Sequence, residues 1–285
     1  MTEESTARRR ELGSELRNIR KRQRMSGHAL GRRLEWPPSN ISRLETGVRP
    51  LPVVDVATFL GTCGASAADR KRLLKLAEAG DDSYWVRPYF DALTDPLKSL
   101  IIQESLAESI LTFESTFIPG LQQTEAYMRA AFELDGRDHS QTQIDVLIKA
   151  RIERQKLLDR RIPPHCAFFI HERALRSLLG GKQVMQEQLL HLVLSSNLRH
   201  CSIRVIPEST VTLPLLNSPF RIMEFTDHPA VVYTDTYAAG LFIDDRMAVE
   251  AYYSLSARLQ QGALNEAESR QWLAQLANEY DRMEE

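Results

Sequence analysis

Between Thr6 and Gln23 the apolar residues Leu12, Leu16 and Ile19 recur at i, i+4 and i+7, which puts them on one face of a helix with charged residues around the rest. Met25-Ser26-Gly27 breaks that pattern, and Ser26 stands where a hydroxyl caps a second short helix, Gly27 to Leu34, with Ala29, Leu30 and Leu34 inward. Glu35-Trp36-Pro37-Pro38 then forces a turn. Pro38 holds Pro37 extended, yet suits the first position of a new helix, where its missing N–H is not needed. The third helix runs from Pro38 to about Glu45 with Ile41 and Leu44 inward, and Gly47 ends it. Two short helices joined by so tight a turn predict a helix-turn-helix, whose second helix offers its N-terminal side chains to the major groove.

Further along, a charged helical stretch covers Ala65 to Ala79 and ends at Gly80, and Asp81-Asp82-Ser83 reads as a short linker. After Asp95-Pro96 a long amphipathic helix is expected, carrying Leu100, Ile101, Leu106, Ile110, Leu111 and Phe113 and stopping near Pro119-Gly120. More helices follow at Leu121 to Leu134 and Ile144 to Arg160. Then the period shortens. Ala167 to Ile170, Ile203 to Ile206, Phe220 to Phe225 and Val231 to Thr234 read as strands, with helices near 184–198, 245–260 and 265–282 between and after them. The expectation is a mainly α chain, α+β overall: a five-helix reader at about residues 10–66 and a small sheet covered by helices. As domains this gives 1–80, a connecting stretch 81–103, and a body over 104–285.

At 285 residues the chain suits two domains. Its charge is uneven: residues 1–50 hold twelve Lys and Arg against six acids, whereas the remainder has eight more acids than bases. A basic end is what phosphate binding needs, since neutralising phosphates and releasing counterions supplies most sequence-independent affinity. The charged start lacks an apolar signal region and no long apolar run occurs, so a cytoplasmic protein with no membrane span is expected. Cys63, Cys166 and Cys201 are odd in number and far apart, which fits small buried apolar residues in a reducing compartment.

The stretch from Leu16 to Ser66, with Ser39-Asn40-Ile41-Ser42-Arg43-Leu44-Glu45-Thr46-Gly47 at its centre and a helix ending in Leu60-Gly61 after Pro50 or Pro52, resembles the XRE group of regulators, the family of lambdoid phage repressors and Cro. The resemblance implies that Ser39 and Arg43 reach base edges, with Pro38, Asn40 and Ser42 beside them. It implies that Ser26 and the amide of Gly27 take a phosphate at the second helix's N-terminus, and that Thr46 and Arg49 touch backbone after the third. Arg20 and Glu45 would form a structural ion pair between helices one and three. Two positions depart from that family: Pro37 stands at a cap that elsewhere holds a hydroxyl or acid, and Gly27 lacks a side chain for phosphate. One small reader covers few base pairs, so a homodimer on an inverted repeat of duplex DNA is expected, its recognition helices about 34 Å apart.

The body carries Phe117-Ile118-Pro119-Gly120-Leu121-Gln122-Gln123-Thr124-Glu125-Ala126-Tyr127, Arg151-Ile152-Glu153-Arg154-Gln155, His171-Glu172-Arg173-Ala174-Leu175, Gly180-Gly181 with Met185 and Gln188-Leu189, and Ile206-Pro207. Over Glu104 to Met283 these resemble the C-terminal domain of WhiJ-like, antitoxin-like regulators of filamentous actinobacteria. That resemblance implies a partner, a small BldB-like protein encoded next door, whose binding changes how the reader engages DNA.

Each residue has a plainer reading. Arg43 can be a solvated surface residue, Ser42 a small residue where helices cross, Trp36 a plug in the turn, and Pro119-Gly120 a helix-ending turn. Arg151, Arg154 and Gln155 can line a polar pocket for a ligand or partner, although the solvated face of a long helix is the first expectation. His165, Cys166, His171 and Glu172 flank one strand, but Cys166 and His171 are an odd number apart and point to opposite faces. No HExxH, paired CxxC, P-loop or GxSxG occurs, so no catalytic residue, metal or cofactor is expected. Partner gating comes first, a metabolite sensor second and an enzyme body last.

Overall fold

The computed structural model describes residues 5–48, 52–78, 84–88, 95–136, 139–210, 219–236 and 238–282. Five helices form the reader: α1 (Ala7–Arg22), α2 (Gly27–Leu34), α3 (Pro38–Glu45), α4 (Val53–Thr62) and α5 (Ala67–Glu78). Their inward residues Leu12, Leu16, Ile19, Leu30, Ile41, Leu44, Phe59 and Leu73 share one apolar core, with Trp36 half-buried against it in the turn as expected. The reader therefore extends past residue 66, because α5 buries Leu73 and Leu76 in the same core. Gly80 and Asp81-Asp82-Ser83 lie outside the described residues.

Two glycines set the approach of α1 to α3. Gly13 lies so close that a Cβ there would stand 2.6 Å from the carbonyl oxygen of Leu44. Gly47, at φ +72°, ends α3 in the left-handed region that only glycine enters freely, and a Cβ on it would meet the backbone of Arg9 and Arg10 at 2.7 Å.

The body is a seven-stranded mixed sheet in the order β1-β7-β6-β5-β2-β3-β4. Its strands are β1 (Tyr84–Pro88), β2 (Ser109–Glu114), β3 (His165–His171), β4 (Cys201–Ile206), β5 (Phe220–Glu224), β6 (Val231–Asp235) and β7 (Ala239–Ile243). β2, β3 and β4 run parallel; β5, β6, β7 and β1 continue the sheet antiparallel. The helices of the body are α6 (Asp95–Leu106), α7 (Glu125–Glu133), α8 (Gln141–Gln155), α9 (Glu172–Arg176), α10 (Lys182–Ser195), α11 (Arg246–Gly262) and α12 (Glu266–Arg282). On one face Phe168, Ile170, Ile203 and Val205 pack under Leu189, Leu192, Leu273 and Leu276 of α10 and α12. On the other, Phe113, Phe169, Phe220, Ile222 and Val232 meet Val249, Leu255 and Leu259 of α11.

The long helix expected after Asp95-Pro96 is corrected: α6 stops at Leu106, and Ser109–Glu114 is a strand. Ile110-Leu111-Thr112-Phe113 is a short continuous apolar run, which periodicity cannot assign, and the partners on both sides decide it, β3 parallel and β5 antiparallel. Strands β1 and β7 are not among the expected elements, being short and holding Pro88 and Gly240. The helix expected from Leu121 divides into a 3-10 turn, Gly120–Gln122, and α7.

Two described parts of the stretch expected to connect the domains, β1 and α6 as far as Gln103, pack with the body and against α1. β1 pairs with β7 along the sheet edge. On α1, Ala7 enters the core of the body, and its amide donates to Asp244 Oδ2 at 2.8 Å. Arg10, 1 % exposed, donates to Gln103 of α6 at 3.2 Å and lies 4.8 Å over the ring of Phe225. Glu11, 0 % exposed, pairs with Arg87 of β1 at 3.1 Å, while Arg87 Nε donates to Ser99 of α6. Among the described residues no helix is long and apolar enough to cross a membrane.

Candidate nucleic-acid interface

The turn between α2 and α3 follows from its residues. Glu35 takes a left-handed conformation at φ 55°, and the amide of Trp36 donates back to Gly31, closing α2. Pro37 then starts α3 with no side-chain cap, and the amide of Asn40 donates to the Pro37 carbonyl. Ile41, Leu44 and Glu45 face inward and are buried. The opposite face is open: Pro38, Ser39, Ser42 and Arg43 are exposed and Asn40 is half-buried. Ser42 thus does not sit at a helix crossing. The Arg43 guanidinium is exposed and makes no hydrogen bond or ion pair with a described residue, which leaves its donors to solvent.

Behind that face α3 is held by charge. Arg20 of α1 grips Glu45 with two donors, Nε to Oε1 at 2.5 Å and Nη2 to Oε2 at 2.7 Å, and its Nη1 reaches the Met25 carbonyl at 2.6 Å. Arg17 adds a third donor to Glu45 at 3.2 Å. The carboxylate is nearly enclosed, and its hydrogen bond is the main reason that the Arg20 guanidinium is held above its ordinary range. One guanidinium therefore ties together α1, the chain entering α2 and α3.

At the start of α2 the Ser26 hydroxyl accepts from the Ala29 amide at 3.1 Å and is exposed, while Gly27 is half-buried. This N-terminus lies beside α3, since a Cβ on Gly27 would stand 3.7 Å from Ile41 Cγ2. The Thr46 hydroxyl donates to the carbonyl of Ser42 at 2.9 Å, an exposed bond at the end of α3. Arg49 and Pro50 lie outside the described residues. Lys21, Arg22, Arg24, Arg32 and Arg33 are exposed around the same domain, and among the described residues Arg22 alone of these has an ion pair, with Asp69 at 3.7 Å.

In the body, the expected solvated face at Arg151, Arg154 and Gln155 is corrected. Gln155 donates to the carbonyls of Gly120 and Gln123 at 3.0 and 2.8 Å, and Arg151 donates to Gln123 Oε1 while lying 4.4 Å over the ring of Phe132. Gln123 in turn donates to the Ile118 carbonyl, the Tyr127 hydroxyl accepts from the Ile118 amide, and Gln188 serves both Thr124 and Gln122. The polar residues of these motifs thus satisfy the backbone of an inward turn. Arg154 is buried on Glu104, with 2.7 and 3.1 Å contacts, and Glu104 also holds Arg221 at 2.8 Å.

At the same end of the sheet Glu114 ends β2. Burial, and then the nearby Asp235, push its carboxyl up to about 8, while burial brings Arg151 down to about 10. The three cysteines are free and buried. Across the described residues no group of three or more His, Cys, Asp or Glu is placed to hold a metal. His171 serves instead as a cap, its Nδ1 accepting from the Arg173 amide at 3.1 Å.

The joint residues Arg10, Glu11, Arg87, Gln103 and Asp244 were not singled out in the sequence. They are polar, and nothing in the spacing of polar residues along α1 tells a buried charge from a solvated one.

No curated protein and no solved structure matches the chain. Residues 11–73 match the family model described as a helix-turn-helix domain, the segment that contains α2, α3 and the Arg20–Glu45 pair. Residues 97–275, more than half of the chain and most of the sheet with its covering helices, match the domain of unknown function DUF5753, so the chain belongs to the DUF5753 family and carries that domain behind a helix-turn-helix.

Proposed function

We propose that this chain is a homodimeric, cytoplasmic transcriptional regulator that reads an inverted repeat in duplex DNA through α3 and is controlled through its body. One observation carries the reading: the outward face of α3 presents Ser39, Ser42 and Arg43 to solvent while its inward face is locked by Ile41, Leu44 and the Glu45 ion pair. A rigid helix with free N-terminal side chains and an unengaged arginine is what base readout requires, and a bidentate Arg–guanine pair supplies about 1–3 kcal/mol of discrimination. Ser39 and Arg43 are the base readers, with Pro38, Asn40 and Ser42 beside them. Ser26 and the Gly27 amide take a phosphate, and the exposed arginines supply charge.

The resemblance to WhiJ-like regulators supports a small, adjacently encoded BldB-like protein as what the body answers to. The surface fits a protein partner: Leu190, Leu194 and Leu198 stand exposed at helical spacing along α10 and just beyond it. Control passes through α1, which is both the first helix of the reader and the element docked on α6, β1 and Asp244.

Arg43→Ala tests the reader. Gel shifts at fixed salt should show a loss of roughly ten-fold or more on the operator and a much smaller loss on random duplex; equal losses on both would remove Arg43 as a base reader. Co-purification with the neighbouring small protein tests the partner. Its clean absence would shift control to a small ligand.

A further inference from the structure

Between the sheet and α11 the fold leaves a recess of about 460 Å³ at the N-terminal ends of β2, β3 and β4, and a second of about 580 Å³ adjoins it, the two sharing Ala167, Ser202 and Gln260. Each falls within the range of roughly 300–1,000 Å³ usual for sites of small molecules. The reason lies in the strands. α11 covers β5 and β6 with Val249, Leu255 and Leu259, but β3 and β4 offer only Ala167 and Ser202 at this place, too small to reach it.

The walls of the first recess are chemically lopsided. Arg199, His165 and His200 line it, and among the described residues none of these three side chains makes a hydrogen bond or ion pair. His200 Nε2 is enclosed and has no hydrogen-bond partner among the described residues, so Nδ1 is the nitrogen of this ring that can meet an occupant of the recess. Among the described residues Glu224 is the one carboxylate in the lining, and it is already engaged, accepting from Ser109 Oγ at 2.6 Å and from the Tyr253 hydroxyl at 2.7 Å. The site thus holds donors in excess: one permanent guanidinium charge and two imidazoles, each with an N–H in either tautomer. Its floor is apolar, Leu111, Ala167 and Ile222, continuing to Phe169 in the adjoining recess.

From this we propose that the recess binds a small organic anion, its carboxylate or phosphate taken by Arg199, His165 and His200 and its apolar body lying on the Ala167–Phe169 floor. The site stands one residue from the reader's joint, since Phe225, which follows Glu224, is the ring under Arg10 of α1. An occupant pressing on Glu224 therefore acts next to the contact that positions α1. That consequence rests on the DNA-reading role, whereas binding itself does not.

The test is calorimetry on the free full-length protein, with phenyl phosphate, benzoate and inorganic phosphate as probes. One of the two organic anions should bind at about 1 mM or tighter, and inorganic phosphate, lacking a body for the floor, about ten-fold more weakly. Whether phenyl phosphate or benzoate prevails identifies the headgroup. Arg199→Gln changes an exposed residue, leaves folding intact, and should weaken the preferred anion about ten-fold, the effect of losing one charge-assisted hydrogen bond. Ala167→Phe, with its fold checked by circular dichroism, should fill the floor and abolish binding. No detectable binding of either organic anion at several times about 1 mM, or unchanged affinity in Arg199→Gln, overturns the site. No DNA is present, so failure here leaves the reader's role standing, and failure of Arg43→Ala to discriminate leaves this site standing.

Discussion

Glu11 on the first helix of the reader and Arg87 on the edge strand of the body's sheet meet at 3.1 Å, and the carboxylate is wholly buried. Burial outweighs the attraction of Arg87 and the hydrogen bond of Ser99, so the Glu11 carboxyl is pushed up to about 7 from 4.5; Glu15 raises it further and Arg72 lowers it. An acid whose folded value is raised contributes stability that is fully present below its unfolded value and is lost as pH rises through the folded one. The window here is therefore about pH 4.5 to 7.

Glu11→Gln should flatten this dependence. Burial of Glu114 gives the wild type a further drift of the same sign, so the informative quantity is the difference between wild type and Glu11→Gln. Thermal melts at pH 5 and pH 8 should show the wild type losing more stability than the variant, by on the order of 1–3 kcal/mol. Parallel losses would mean that the joint does not hold a raised carboxyl.

Arg20→Ala strips the two shortest donors from Glu45 and leaves only Arg17. Breaking a buried pair by removing one partner costs about 3–5 kcal/mol, because the remaining charge stays buried. Denaturant unfolding of the reader should show a loss of that order, with weaker DNA binding from a loosened α3. A change under about 1 kcal/mol would place this pair with ordinary surface ion pairs.

Gly13→Ala puts a methyl group against the backbone of Leu44 and Glu45, where a Cβ would stand at 2.6–2.8 Å. Backbone cannot swing aside as a long side chain can, so α1 and α3 must separate. The expected cost is about 1–3 kcal/mol in stability, read by thermal unfolding. Alanine is the better helix former, so an unchanged or raised melting temperature would show that the contact is looser than described.

In the body, Glu104→Ala leaves the guanidiniums of Arg154 and Arg221 buried without their shared carboxylate. A loss of about 3–5 kcal/mol in the unfolding of the body is expected. Glu104→Gln, which keeps the shape and one acceptor, should lose less; equal losses would assign the effect to packing.

The reader was legible because each of its signals is local. Ser26, Pro37-Pro38 and Gly47 act on the backbone within a few residues, and Leu12, Leu16, Ile41 and Leu44 declare their face by spacing alone. The resemblance supplied the Arg20–Glu45 pair, which spacing does not contain. In the body the helices after residue 240 and four of the seven strands were legible for the same reason. The strand at Ile110–Phe113 was not, because a short buried apolar run suits helix and strand alike and its neighbours β3 and β5 decide it from far along the chain.

What the amino acids determined unaided is therefore the set of local commitments: where helices begin and end, which side of α3 faces outward, and which end of the chain is basic. Only the tertiary structure decided that Arg10 and Glu11 are buried in a joint, that Arg151, Arg154 and Gln155 point inward to a turn and to Glu104, and that small residues leave a recess under α11. The physical reason is range. Caps, turns and periodicity act over a few residues, whereas burial of a charge or the opening of a cavity depends on atoms brought together from distant parts of the chain.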